Sequence, residues 1–192
     1  MVFYFSDHGE MAGEHGLWGK VTLLESSVRV PLVVRYGRWF PAGRRVRTPV
    51  SLADLFPTFL EIAGIELPPP LFTHGHSLVP LLIGQDDRFQ GGDVFCEFEG
   101  EGWNHPRAFV RSGRYKYVYN HTADCRLYDP QADPHEMQDL SDDPALAEVR
   151  QRLHQRITDE WGDGDEIERR VLLAQARRKI ARCKNVCKDL GW

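Results

Sequence analysis

Residues 6–20 read SDHGEMAGEHGLWGK and follow directly on the apolar run VFYF at 2–5. The run is rich in β-forming residues and has no polar alternation, which predicts a short strand covered on both faces. Polar residues just past the end of a buried strand are where open α/β sheets place their sites. The stretch therefore predicts an α/β sheet with a site at the tip of this strand.

The side chains of this stretch suit a cation and an anion. Asp7 and His8 are ligands for a divalent ion such as Ca²⁺, Mg²⁺ or Mn²⁺, although Ca²⁺ usually needs about six oxygens, so further ligands must come from elsewhere. Lys20 is a mobile point charge that suits a sulfate or phosphate oxygen. The same residues also fit a turn-forming Asp and loop-surface histidines, so spacing alone leaves both interpretations open.

The rest of the chain alternates strand and helix signals. Residues 30–34 predict a second strand, parallel to the first. Ser51 and Asp54 have capping-box spacing ahead of a helix that ends at Gly64, and Pro57 marks either its beginning or a bend. Further predicted elements are a helical turn at 78–82, strands at 93–98, 108–110, 115–119 and 126–128, and helices at 144–161 and 165–183.

This order predicts the tail of an α/β domain followed by a small α+β subdomain with an antiparallel sheet and C-terminal helices. We expect the α/β part at 1–92, the subdomain at 93–164 and a helical tail at 165–192. Two parallel strands do not complete a doubly wound sheet, so we expect further chain upstream.

Composition excludes some classes of partner. The net charge of −4 argues against nucleic acid, and no apolar run approaches the roughly 18–20 residues of a membrane span. With no recognisable leader, we expect a cytoplasmic protein. Cysteines 96, 125, 183 and 187 lack zinc or CxxC spacing, so we expect plain thiols.

Several segments together resemble the sulfatase family of the alkaline-phosphatase-like superfamily. They are SDHGEMAGEHGLWGK with VRVPLVVR, SLADLFPTFLEIAGI, HGHSLVPLLIG, and RSGRYKYVYN followed by LYDPQADPHEMQDLSDDP. They follow the family order of the last two thirds of the catalytic core and the C-terminal subdomain. The resemblance implies a C-terminal part of the alkaline-phosphatase-like sandwich.

The resemblance also implies roles for single residues. Asp7 and His8 inherit metal ligation, with Ca²⁺ as the first expectation and Mn²⁺ or Mg²⁺ as alternatives. Lys20 inherits contact with the sulfate of a small sulfate-ester substrate. His15 lies in the matching segment and has either a site role or a hydrogen bond that shapes the loop.

The family nucleophile is a formylglycine made from the Cys or Ser of a C/S-x-P/A-x-R motif. None of the four cysteines stands in such a motif, so we expect the formylglycine in a missing N-terminal part, and we expect this chain alone to be inactive. A non-catalytic metal- and anion-binding or assembly module, and part of a phosphonate or phosphate ester hydrolase, remain alternatives.

The tail resembles that of choline-sulfatase-like enzymes, in which it takes part in subunit assembly. Ile167, Val171, Ala174, Arg177 and Arg178 stand at comparable places, which predicts a homo-oligomer formed through the C-terminal helix. The alternating basic and aromatic residues of 114–119 fit either a stacking surface for nucleic acid or an edge-type strand with one buried face.

Overall fold

The computed structural model of the protein describes the backbone of residues 1–66, 73–98 and 105–189, with side chains described as far as residue 180. Two sheets hold six strands among these residues. The strands are β1 (Val2–Phe5), β2 (Leu32–Arg35), β3 (Asp93–Phe98), β4 (Arg107–Ser112), β5 (Tyr115–Asn120) and β6 (Arg126–Tyr128). The helices are α1 (Glu25–Val28), α2 (Leu55–Ala63), α3 (Val79–Ile83), α4 (Ala147–Trp161) and α5 (Gly164–Asp189).

The first sheet pairs β1 with β2 in antiparallel register, Val2 opposite Arg35 and Phe5 opposite Leu32. The prediction of parallel strands was therefore wrong. The connection between them turns back at the end of the sheet where β1 stops, and a parallel pair would need a crossover to the other end. The prediction of two covered faces was also wrong within the described residues, because Tyr4 and Val33 are 64% and 60% exposed.

Helix α2 begins as its sequence predicts. The Ser51 hydroxyl accepts a hydrogen bond from the Ala53 N–H, and the Asp54 carboxylate accepts one from the Ser51 N–H at 2.7 Å. Pro57 is the third residue of α2, within the first turn, where a missing N–H costs little. Gly64 ends the helix in the left-handed conformation.

The second sheet has the order β3-β4-β5-β6, with every pair antiparallel. Strands β3 and β6 have the predicted bounds, and the turn between β4 and β5 places Gly113 at a φ of 57°. Strand β5 lies between two neighbours, so the prediction of an edge-type strand was wrong.

The second sheet is covered on both sides. On one side α4 packs Leu153 and Ile157 against Val110, Tyr117 and Leu127, and all five residues are buried. On the other side lies a smaller cluster of Phe109, Val118 and Tyr128 with Leu23 from the opening region. The segment that follows the predicted site is therefore packed against this sheet, and the domain boundary predicted at residue 92 stays a prediction.

Helix α5 has partly buried apolar residues near its beginning and exposed ones further along. Ile167 and Val171 are half-buried, whereas Ala174 and Ile180 are exposed. Cys96 and Cys125 are free thiols, and the side chains of Cys183 and Cys187 lie outside the described residues. Within the described part of the chain, none of the helices has the length and apolar character to cross a membrane.

Candidate active-site segment

The three residues predicted to form the site lie together at the tip of β1. Lys20 Nζ is 2.9 Å from His8 Nε2, and Asp7 Oδ2 is 3.6 Å from the same nitrogen. A carboxylate, an imidazole and an ammonium group thus converge although Lys20 comes twelve positions after His8. The donor chemistry of Asp7 and His8 suits a divalent cation, and Lys20 adds a charge for an anion.

The hydrogen bonds of His8 fix which ring nitrogen carries the proton. Its Nδ1 lies 2.7 Å from the carbonyl oxygen of Gly9, which can only accept, so Nδ1–H donates to it. Nε2 then keeps its lone pair in the neutral ring, and the Lys20 ammonium donates to it. The nitrogen that a metal ion would need therefore faces Asp7 and Lys20.

Asp7 is held in its charged form by its surroundings. Partial desolvation raises the pKa of its carboxyl group, but His8, the backbone N–H groups of Asp7 and His8, and Lys20 together bring the pKa below its ordinary value. The His8 N–H donates to Asp7 Oδ1 at 3.0 Å. The carboxylate is therefore available as a ligand at neutral pH.

Close backbone packing shapes the loop after β1. The Gly9 N–H donates to the carbonyl of Ser27 at 2.7 Å, and a β-carbon on Gly9 would lie 2.0 Å from the carbonyl oxygen of Ser26. The buried Met11 donates its N–H to the carbonyl of Gly19 at 2.9 Å. These contacts fold the loop back so that Lys20 reaches His8.

His15 does not approach the three converging residues through any described contact. Its Nε2 lies 2.7 Å from the carbonyl oxygen of His135, and its own φ of 52° is left-handed. The neighbouring Glu14 also contacts His135. Its carboxylate pairs with the His135 ring at 3.2 Å and accepts a hydrogen bond from the Ser26 hydroxyl. The sequence left two roles open for His15, and the geometry supports the hydrogen bond that shapes the loop.

A buried charge network that the sequence did not predict lies behind the loop. Lys116 on β5 is 0% exposed, and its Nζ lies 3.2 Å from Glu25 and 2.9 Å from Glu136. Glu136 also accepts the backbone N–H of Glu25 at 2.7 Å. Helix α1, five residues after Lys20, is therefore fastened to the second sheet.

Two details show how strongly this network is constrained. Glu136 has a left-handed φ of 53°, which is unusual for a residue other than glycine. Desolvation raises the pKa of its carboxyl group, although Lys116 opposes the rise. The only sequence signal for this role was the segment LYDPQADPHEMQDL, which contains Glu136 but was used only for the family resemblance.

The three converging residues lie on an open surface. The Asp7 side chain is 84% exposed. A cleft of about 560 Å³ runs between the opening loop and the second sheet, lined in part by His15, but Asp7, His8 and Lys20 do not line it. The segment thus presents charged groups without enclosing a substrate.

Comparison with known proteins assigns this fold and segment to a family. The family model described as N-sulphoglucosamine sulphohydrolase, C-terminal, matches residues 13–162. The chain belongs to this sulfatase family. The match includes His15 and Lys20 and begins after Asp7 and His8, so the metal-ligand roles of these two residues stay predictions.

Individual relatives agree with the family match. The chain is 37% identical over 145 residues to the choline-sulfatase of Rhizobium meliloti, an alignment that covers 75% of this chain and 27% of that protein. It is 36% identical over 166 residues to arylsulfatase K of Mus musculus, covering 82% of this chain and 29% of that protein. The chain therefore spans less than a third of the length of these curated relatives.

A solved structure gives the same picture in three dimensions. The crystal structure of the phosphonate monoester hydrolase of Agrobacterium radiobacter has a TM-score of 0.71 and 31% identity, and the match covers 82% of this chain and 34% of that one. The predicted fold class is confirmed: the chain has the C-terminal part of the alkaline-phosphatase-like fold, with an antiparallel sheet and C-terminal helices.

Proposed function

We propose that this chain is the C-terminal portion of a sulfatase that hydrolyses small sulfate esters, and that it supplies one side of the active site. The observation that carries the proposal is the convergence of the Asp7 carboxylate, His8 Nε2 and the Lys20 ammonium at the tip of β1. Family membership adds that the convergence occurs in a sulfatase chain.

Each residue has a distinct part in this proposal. Asp7 and His8 would hold a divalent cation, Ca²⁺ first and Mn²⁺ or Mg²⁺ as alternatives, and such an ion supplies Lewis-acid polarisation of a sulfate oxygen. Lys20 would bind another sulfate oxygen and stabilise the negative charge that develops on it. The Gly9 carbonyl keeps His8 in the tautomer that exposes Nε2.

The remaining parts of the site would come from outside this chain. A formylglycine nucleophile and the further ligands that the cation requires are expected in an N-terminal portion, in line with the share of the curated relatives that this chain spans. We expect no useful turnover by this chain alone, because loss of a nucleophile removes most of the rate.

The names of the relatives suggest the substrate class. Choline-sulfatase and arylsulfatase K both indicate sulfate esters. We further propose a homo-oligomer formed through α5, on which Leu172, Leu173 and Ile180 are exposed, and a cytoplasmic protein with no nucleic-acid or membrane partner. The burial of Lys116 supports the absence of nucleic acid, because it removes a cation from the alternative stacking surface at 114–119.

A second candidate is part of a phosphonate or phosphate ester hydrolase. The structural similarity to the phosphonate monoester hydrolase favours it, and Lys20 would bind a phosphonate oxygen as readily as a sulfate oxygen. A non-catalytic metal- and anion-binding module would keep the same three residues without turnover.

A fusion experiment tests these candidates. The chain replaces the matching segment of the Rhizobium meliloti choline-sulfatase, and hydrolysis of choline sulfate, an aryl sulfate and an aryl phosphonate monoester is measured with Ca²⁺ or Mn²⁺. We expect sulfate-ester turnover by the folded fusion, and a fall in kcat/KM on the order of 100-fold in Lys20→Ala. The control Lys179→Ala changes an exposed lysine of α5 and should keep full turnover.

Other results would change the assignment. Faster turnover of the phosphonate monoester than of either sulfate ester would favour the second candidate. A folded, inactive fusion that still binds sulfate would favour the non-catalytic module. Full turnover by Lys20→Ala would contradict the role of Lys20, and turnover by the chain alone would contradict the proposal that the nucleophile lies elsewhere.

A further inference from the structure

A second group of metal-type side chains lies at the beginning of α5, remote in sequence from the active-site segment. His121 follows β5, and Asp165 and Glu168 lie on the first turns of α5. His121 Nε2, one Asp165 oxygen and one Glu168 oxygen all lie within 4.8 Å of one another. Among the described residues, this is the one group of three or more such side chains close enough to share an ion.

The separations within the group suit a tetrahedral ion. His121 Nε2 is 2.9 Å from Asp165 Oδ1 and 3.9 Å from Glu168 Oε2. Zinc-ligand bonds of roughly 2.0–2.1 Å at a tetrahedral angle put neighbouring ligand atoms about 3.3 Å apart. The two separations from His121 Nε2 lie on either side of this value, so a shift of about half an ångström in each carboxylate would bring both to the tetrahedral distance from this nitrogen. The two carboxylate oxygens lie within 4.8 Å of one another.

The surrounding residues orient two of the three ligands. The Tyr119 hydroxyl lies 3.0 Å from His121 Nδ1, which leaves Nε2 directed at the carboxylates. The second oxygen of Glu168 lies 2.6 Å from His105 Nδ1. Partners of this kind behind the ligands fix ring tautomer and carboxylate orientation at protein metal sites.

The backbone at the beginning of α5 also lies close to the His121 ring. Gly164, the first residue of α5, is buried, and a β-carbon there would lie 2.3 Å from His121 Nδ1. A side chain at this position would displace the His121 ring or the Tyr119 hydroxyl, so glycine lets the helix begin directly against the ring. His121 is 14% exposed and Asp165 is 88% exposed, so one side of the group is anchored and the other faces water.

We propose that His121, Asp165 and Glu168 form a binding site for a divalent transition-metal ion of the Zn²⁺ type, with His105 positioning Glu168. Two carboxylates and a neutral imidazole balance the charge of the ion, and water takes the open position. The ion would fasten the beginning of α5 to the end of β5. His105 and His121 both line the cleft of about 560 Å³, which gives the ion a route from solvent.

Metal titration of the full chain tests this proposal. Zn²⁺ binding is measured by calorimetry, and Co²⁺ binding by its visible absorption, in protein that carries Asp7→Asn to remove a ligand of the proposed active site. We expect one Zn²⁺ per chain and a tetrahedral Co²⁺ spectrum that Zn²⁺ abolishes. His121→Gln, Asp165→Asn and Glu168→Gln should each raise Kd on the order of 100-fold, and His105→Gln about 10-fold.

Matched controls separate a metal site from ordinary ion pairs. Asp163→Asn removes a nearby carboxylate that caps α5 through the Glu166 N–H, and His74→Gln changes a histidine that pairs with Glu160, so both should leave Kd unchanged. Asp165 is so exposed that its variant should fold normally, which circular dichroism checks. Equal Zn²⁺ affinity in Asp165→Asn, Glu168→Gln and the parent, or no Zn²⁺ binding at micromolar concentration, would overturn the proposal and leave only ion pairs.

Discussion

The two sheets of this protein are built from similar residues and differ in what covers them. Val33 in the first sheet is 60% exposed, whereas Val110 in the second sheet is 0% exposed. The second sheet has α4 on one face and part of the opening region on the other. An apolar strand pattern therefore indicates that another element packs on the strand. For the first sheet, we propose that this element lies in the N-terminal portion.

The same contrast holds for charge. Lys116 is buried between two glutamates that serve the fold, whereas Lys20 and Asp7 stand at an open strand tip. Charged groups are costly to bury unless paired, so breaking the buried network is expected to cost stability, whereas the open group is expected to contribute to binding. The predictions below test this contrast, beginning with the largest expected effect.

Breaking the buried network should cost the most. Lys116→Met leaves the buried Glu136 without its cation, while Glu25 keeps its pair with Arg111 at 3.2 Å. We expect a loss of about 3–5 kcal/mol in the free energy of unfolding, measured by urea denaturation. The control Arg169→Met breaks the exposed pair with Glu166 and should cost less than about 1 kcal/mol. Equal losses in the two variants would remove the contrast between buried and open charges.

The close backbone packing behind the candidate active-site segment should have the next largest effect. Gly9→Ala places a β-carbon 2.0 Å from the Ser26 carbonyl oxygen, so the loop must shift. We expect a loss of about 2–3 kcal/mol in the free energy of unfolding. Faster hydrogen exchange at Met11 and Ser27 would locate the shift. Gly92→Ala is the control, because nothing lies within 4 Å of its added carbon, and equal behaviour of the two variants would contradict the packing described for the loop.

Valine truncation compares the sheets directly. Val110→Ala removes two buried carbons and should cost about 1.5 kcal/mol, whereas Val33→Ala should cost less than about 0.5 kcal/mol. Urea denaturation of this chain measures both. In the fusion with the choline-sulfatase N-terminal portion, the loss for Val33→Ala should rise toward that for Val110→Ala. An unchanged small loss in the fusion would contradict the proposed cover for the first sheet.

The smallest expected effect is the pH dependence of stability that Asp129, the residue after β6, contributes. The hydrogen bond from Arg114 to Asp129, at 2.6 Å, outweighs desolvation and lowers the pKa of Asp129 below its ordinary value of 3.8. A depressed folded-state pKa gives stability that is present above the unfolded pKa and is lost as pH falls through the folded value.

Asp129→Asn should therefore cost about 1 kcal/mol at pH 7, and its stability should fall less steeply than that of the parent below about pH 4. Urea denaturation from pH 3 to pH 7 measures this difference. Asp133→Asn is the control, because no pair with an arginine is formed there among the described contacts. Parallel pH curves for Asp129→Asn and the parent would contradict the pairing.

Local signals in the sequence predicted much of the second sheet. Gly113 in its turn and the apolar runs of β3 and β6 set bounds that the structure keeps. The direction of β2 could not be predicted, because an apolar strand has the same pattern whether its neighbour is parallel or antiparallel. The burial of Lys116 was missed because its partners Glu25 and Glu136 are distant in sequence, and only folding brings them together.

The candidate site was predicted only as a set of residue types. The proximity of Lys20 to His8 depends on the packing of Gly9 against Ser27 and on the hydrogen bond from the buried Met11 to Gly19, neither of which spacing alone could determine. The second cluster at His121 was not predicted, because Asp165 and Glu168 lie more than forty residues further along and meet the histidine only through the docking of α5.

Sulfate binding by the fusion with the choline-sulfatase N-terminal portion tests the central claim most directly, because that portion is expected to supply the further ligands that Ca²⁺ needs. The His8 ring and Lys20 side-chain NMR signals are followed during titration with sulfate, with and without Ca²⁺. The account predicts saturable shifts of both signals and tighter sulfate binding when Ca²⁺ is present. Lys20→Met should lose the sulfate-induced shift of the His8 ring, and Asp7→Asn should lose the effect of Ca²⁺. Sulfate shifts that do not saturate, or that are the same in Lys20→Met as in the parent, would contradict it.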